Sequence, residues 1–458
     1  MKDTNAYRGS IFYFKDTATL ENIPKKKKEG LGEHYFRSQY VYHEDGVLLI
    51  EKGKIKSVGS YSDMKTQIAG VNVVDYKGNL ITPGFIDTHQ HATQSAIVAA
   101  YGEKLLGWLS DYVFPSESEY HHRDLARDNL NFFLDQLVRC GTTTAVSYGP
   151  LFYEAADIFF EELNKRDMRF ITGNILMDTD SPDNLRLNTQ ESYDIAQKLI
   201  KKWHNKNRLS FCISPRFALC CSEKMLELCG ALKKEHPDTY IQTHLDENLT
   251  EIETVKKLFP WSKNYLDVYH HFGLATDKTI FGHCIHLNEA ELDLFKETNS
   301  ISSWCPLSNN FLGSGLFNFE KFSKYTDNIT LGTDWGAGNC LSMFAVMDEA
   351  YKVSMLNSVK LPSMVRWYMA TMGAAKALGI DDKVGNFEVG KEADFIAIDP
   401  KASTYLGYRM QEAQDIFDLL FTLMTLGDDR NITATYINGK AAYIKGEMES
   451  PYPKTKAA

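Results

Sequence analysis

Cysteine is sparse in this chain, eight residues in 458, and no two stand in a CxxC spacing. A disulfide framework is excluded. The adjacent Cys220 and Cys221 are poorly placed to bridge, so the expectation is buried, reduced thiols in a cytoplasmic protein. Long apolar runs are also missing. Phe417–Leu426 is short and broken by Asp418, far from the ~20 residues of a membrane span. The N-terminal stretch lacks a basic segment leading into an apolar one, so no secretory signal is expected. The sequon Asn431-Ile432-Thr433 then carries no meaning. Basic charge is not concentrated either. Fifty Lys and Arg face 60 Asp and Glu, for a net charge of −10. The one dense basic run, Lys25–Lys28, meets Glu29 at once and reads as a solvated loop. No nucleic-acid or membrane partner is expected. HExxH, the P-loop, GxSxG and a strand-borne GxGxxG are absent, as is the H-x-E with P-C-x-x-C pattern of cytidine-type deaminases.

What is present is ordinary globular composition, 43% hydrophobic and 24% charged, in a chain long enough for a sizeable core. The two ends read as β structure. Val47–Glu51 is apolar and β-branched, and 53–59 alternates between glycines. Residues 391–400 turn into a strand that Pro400 stops. Thr433–Ile437, Asn438-Gly439 and Ala441–Ile444 read as a hairpin. Between the ends, eight short apolar runs alternate with amphipathic stretches. The runs are Asn79–Ile86, Thr142–Tyr148, Arg169–Leu176, Arg208–Ile213, Tyr240–His244, Thr279–Ile285, Ser300–Trp304 and Ile329–Gly332. Helical patterns separate them, as at Asp124–Arg139, Ser192–Trp203, Glu223–Lys234 and Glu289–Glu297. This predicts an α/β chain: a (β/α)8 TIM-like barrel over 79–381, with a small β-sandwich domain formed by 1–78 and 382–458. An open doubly wound sheet is the alternative.

The chemistry concentrates at the C-terminal ends of these runs. The first ends in His89-Gln90-His91, whose two imidazoles project to one side of extended backbone. The fifth ends in His244-Leu245-Asp246-Glu247, the sixth in Gly282-His283 and the eighth in Thr333-Asp334. Singly, each has a plain reading: His283 a hydrogen-bonded core histidine, Asp334 a helix N-cap, Glu247 a solvated loop residue. Together, on the one face of a parallel barrel where active sites lie, they converge imidazole and carboxylate on one point. That donor set suits a catalytic divalent ion such as zinc. His121, His122, His270, His271 and His286 read as structural.

The segments PGFIDTHQHATQ, SPRFALCCSE, THLDEN, GHCIHL and LGTDWGAGN resemble the amidohydrolase superfamily, and within it the branch that deaminates guanine. The segment from Leu105 to Pro115 and the run Cys140-Gly141-Thr142-Thr143-Thr144 add to this resemblance, which covers nearly the whole chain. It implies one Zn²⁺ held by His89, His91, His244 and Asp334. It implies His283 beside the metal and Glu247 as proton shuttle, with Gln94, Arg216 and Phe217 on the purine and His91 and His244 bordering it. It also implies a homodimer. Many members carry a carboxylated lysine after the fourth strand that bridges two metals. Here Leu209–Pro215 holds no lysine, which favours one metal per chain. In this reading water attacks guanine C2, Glu247 carries its protons to N3 and the leaving amine, and Asp334 orients the nucleophile. Arg216 suits the O6/N7 acceptor edge, because a guanidinium only donates. Phe217 packs on the ring, and Trp108 and Phe114 either cover the pocket or pack in the core. Aminohydrolases of other purines, pterins or triazines would differ at Gln94, Arg216 and Phe217. An inactive scaffold would have lost ligands, and all are present.

Overall fold

The computed structural model describes residues 4–20, 39–102 and 105–447; the Lys25–Lys28 run lies outside them. Contacts divide the chain into two compact units. The first holds the described residues up to Ile86, Asp135–Thr144 and the described residues from Ser342 onward; the second holds the described residues of Asp87–Leu134 and Ala145–Leu341. These limits differ from the expected boundaries at 78/79 and 381/382. Residues 342–381 fall with the chain ends because the helix Met343–Leu356 packs on the helix Ile416–Leu426, with Tyr351 edge-on to Phe421 at 5.2 Å.

The first unit is built on seven strands: β1 (Thr4–Phe14), β2 (Tyr40–Glu51), β3 (Lys54–Ser60), β4 (Asn72–Pro83), and β13 (Phe395–Ile398), β14 (Ile432–Ile437) and β15 (Lys440–Ile444). They form one ladder in the order β15-β14-β13-β4-β1-β2-β3. The ladder is one continuous sheet, curled so that side chains from strands well separated in it meet. Tyr7 of β1 lies 4.8 Å from both Phe395 and Tyr436, three strands away at the far limit. The register shifts between Gly9 and Ile11 at the bend. Tight turns at Lys52-Gly53 and Asn438-Gly439 have positive φ at both positions, as two-residue hairpins require. The stretch 416–426 is an 11-residue helix capped by Asp415. No helix among the described residues is long and apolar enough to cross a membrane.

The eight-stranded sheet runs in chain order: β5 (Phe85–Asp87), β6 (Thr142–Gly149), β7 (Arg169–Leu176), β8 (Leu209–Pro215), β9 (Tyr240–Leu245), β10 (Thr279–His283), β11 (Ile301–Trp304) and β12 (Ile329–Leu331). Neighbours are parallel. Thr88 N–H donates to Leu331 O and Asp334 N–H to His89 O, joining first strand to last and closing the barrel. These strands are buried almost throughout because helices cover one side and barrel-filling side chains the other. The first barrel strand is shorter than the expected Asn79–Ile86. Residues up to Pro83 belong to β4 of the other sheet, and the chain switches sheets at Gly84. A Cβ there would run into the Thr143 side chain. The eight cysteines form no disulfide with one another, and seven of them are buried.

Candidate active site

Every predicted polar residue stands at or just past a barrel strand's C-terminal end. The backbone there is bent to aim side chains inward. Asp246, His283, Cys284 and Asp334 have φ of 50°, 71°, 55° and 48°, left-handed conformations that a non-glycine residue holds only when its surroundings enforce it. Asp87 supplies part of that enforcement, accepting from the backbone N–H of His89 and Thr333 and from the Thr333 hydroxyl. The end of the first strand is thereby tied to the end of the eighth.

His89, His91 and Asp334 bring ligand-type atoms within 4.8 Å of one another, and so do His89, His244 and His283. His89 Nε2 and His91 Nε2 lie 3.4 and 3.3 Å from Asp334 Oδ1. His244 Nε2 lies 3.3 Å from His91 Nε2. The tautomer of His244 follows from its partner. Nδ1 is 2.5 Å from the Arg216 carbonyl oxygen, which can only accept, so Nε2 keeps its lone pair for the cluster. His91 stacks on Tyr148 at 4.6 Å. Burial pushes the His89 imidazole down to about 4 and His244 well below its ordinary value, so both are neutral, as ligands must be. Burial opposes the charge of Asp334, but the adjoining His89 and His91 rings outweigh it and hold the carboxylate well below its usual range. Both ring nitrogens of His89 are buried without a hydrogen-bond partner. Orphaned nitrogens turned on a carboxylate fit a divalent metal ion.

Beside this cluster, His283 Nε2 lies 3.4 Å from Glu247 Oε2 and 4.0 Å from Asp334 Oδ2. Its Nδ1 donates to Asn309 Oδ1 at 2.8 Å. Glu247 is buried, and Ser314 donates to its Oε1 at 2.8 Å. Burial raises the Glu247 pKa; burial lowers that of His283, but the Glu247 and Asp334 charges raise it more. A carboxyl group raised in this way holds a proton more readily than one in water, which suits it to general acid–base work.

A cavity of about 390 Å³ opens on these groups. Gln94, Trp108, Arg216 and Phe217 line it with His91, His244, Glu247, His283 and Asp334. Every expected site residue is here or, like His89, against it. Of the two places open to Trp108 and Phe114, Trp108 takes the pocket lining and Phe114 the packed interior. Phe114 packs beneath Arg216, whose guanidinium carbon stands 5.4 Å from its ring centre. His286 is structural, its Nε2 bonded to Ser314 O at 2.8 Å. Sequence reasoning missed Glu117, which bonds both Arg216 and Gln94. It missed Tyr148, Asn309 and Ser314 as well. Nothing in their spacing sets them apart; their roles depend on what the fold brings against them.

The sequence matches the model of the amidohydrolase family over residues 80–442. It is 44% identical over 401 residues to a guanine deaminase of Escherichia coli strain K12, covering 87% of this chain and 91% of that one. A solved E. coli guanine deaminase superimposes with a TM-score of 0.92 at 42% identity, over 96% of this chain and all of that one. Guanine deaminase from C. acetobutylicum, solved with guanine in its active site, gives 0.84 at 29% identity, over 96% of this chain and 100% of that one. The chain belongs to the amidohydrolase family and, within it, to the guanine deaminases.

Proposed function

We infer that the protein hydrolyses guanine to xanthine and ammonia in this cavity. The observation that carries the reading is one buried pocket lined by a histidine–aspartate cluster, the Glu247–His283 pair, and Arg216 with Gln94. We propose one zinc ion per chain, held by His89, His91, His244 and Asp334. Three imidazoles and a carboxylate suit zinc, and the fourth strand brings no lysine to bridge a second ion. When bound, zinc supplies a water acidic enough to attack at neutral pH.

The chain's own residues do the rest. Arg216 donates to the O6/N7 edge of guanine, Gln94 meets the adjoining edge and Phe217 packs on the ring, presenting C2 to the nucleophile. Attack at C2 breaks the ring's aromaticity, and Glu247 moves one water proton to N3 so that no anion is left buried. Glu247 then carries the second water proton to the amino nitrogen. The C2–N bond breaks, ammonia leaves and the C2 carbonyl forms. Asp334 orients the attacking oxygen, and His283 steadies negative charge on it. Such proton transfer contributes about 10²–10⁴-fold. The family resemblance supports a cytoplasmic homodimer. The test is ammonia release from the purified protein across guanine, other aminopurines, pterins and triazines. Guanine should be turned over best, with xanthine as product; a pterin or triazine preferred at equal metal content would overturn the assignment.

A further inference from the structure

Glu117 is a buried carboxylate outside the proton path. It sits in the short helix Phe114–Ser118, after a π-helical turn at Leu109–Val113, and does not itself line the cavity. Its Oε2 accepts from Arg216 Nη1 at 2.7 Å. Its Oε1 accepts from Gln94 Nε2 at 3.1 Å and from the Thr93 hydroxyl at 3.4 Å. One carboxylate therefore holds both side chains that meet the substrate's edge. On the other side of Gln94, Gly336 approaches so closely that a Cβ would collide with the amide oxygen and stand 2.8 Å from Gln94 Cβ. The amide is clamped between the two. Its Oε1 is buried without a hydrogen-bond partner.

We propose that Glu117 is a positioning residue that sets the polarity of the substrate pocket, a reading that rests on the purine assignment above. A carboxylate beside a guanidinium only accepts, so Gln94 must turn its NH₂ group to it. That leaves the amide oxygen as the group Gln94 offers a ligand. Arg216 spends one of its five N–H donors on Glu117, and the rest can only donate. The pocket thus presents an acceptor alongside donors. A 6-oxopurine, with N1–H next to O6, complements that pair. A 6-aminopurine meets it with a bare N1 and an amino group, a mismatch at both positions. Glu117 discriminates between substrates without touching them.

The test is binding of hypoxanthine and adenine to metal-loaded wild type and to Glu117→Gln, with kcat and KM for guanine measured alongside. Hypoxanthine has N1–H and O6 but no 2-amino group, so its binding is read independently of turnover. Glu117→Gln lets the Gln94 amide turn over and takes the charge from Arg216. The hypoxanthine-over-adenine preference should fall about 10-fold or more, and KM for guanine should rise more than kcat falls, with metal content unchanged. Glu117→Asp keeps the charge with shorter reach and should be intermediate; it also carries the test if Glu117→Gln does not fold. Equal weakening of both purines would reduce Glu117 to a structural ion pair, and an unchanged preference in either variant would overturn the proposal. Wild type that binds hypoxanthine selectively but leaves guanine intact would overturn the deaminase reading and not this one.

Discussion

Glu247 and Arg216 bring opposite charges into one cavity for different purposes, and substitution separates them. Glu247→Gln keeps the shape and the Ser314 hydrogen bond but cannot relay a proton. Turnover of guanine should fall about 10²-fold or more with metal content unchanged, as steady-state kinetics and elemental analysis will show. Near wild-type kcat would make Glu247 a bystander. Arg216→Ala leaves Glu117 buried and uncompensated, at a cost that reaches the fold itself, so Arg216→Lys is the cleaner probe. An ammonium retains the charge for Glu117 but not the planar fork. The variant's kcat/KM for guanine should drop roughly 10–100-fold, and that for 2-aminopurine, which lacks the 6-oxo group, much less. Equal losses for the two would mean that Arg216 holds the pocket wall and does not read O6.

At the scale of elements, the site depends on how closely neighbouring strands approach. Gly282 of β10 and Gly332 after β12 both pack against His89, where an added Cβ would stand 2.5 Å from its Cε1 and 2.7 Å from its Cβ respectively. The Gly282 contact leaves the imidazole little room to turn, and the Gly332 contact holds the base of the side chain. Gly282 needs no unusual φ, so alanine there acts by displacing the ring alone. Gly282→Ala should weaken metal affinity by about 10–100-fold, the range for lost support of a ligand, measured by competition with a chromogenic chelator. Unchanged affinity would show that His89 is not a ligand or that the strand yields.

At the scale of the whole molecule, metal and stability are linked. Chelation should abolish activity, and zinc at one equivalent per chain should restore it. Two equivalents in fully active enzyme would refute the single-metal assignment. Because the ion binds the folded chain, zinc in hundredfold excess over its Kd should stabilise that chain by about 2.7 kcal/mol, seen as a higher melting temperature than that of the chelated protein. An unshifted melting temperature would place the metal outside the folded structure.

The barrel and its four polar strand ends were legible from local sequence because a parallel strand buried on both faces is a continuous apolar run, and the residue that ends it faces the active end. Hairpin turns such as Asn438-Gly439 were legible because their chemistry lies within four residues. Three features were decided only by tertiary structure. The sheet switch at Gly84 depends on Thr143, a contact between distant segments that no apolar pattern encodes. The fall of 342–381 with the chain ends depends on helix faces meeting, as Tyr351 meets Phe421. Glu117 looked like any acidic residue after Pro115, and only the fold could set it against Arg216, 99 residues away. Periodicity reports which way a side chain faces along its own element; which group it finds there is a property of the folded chain.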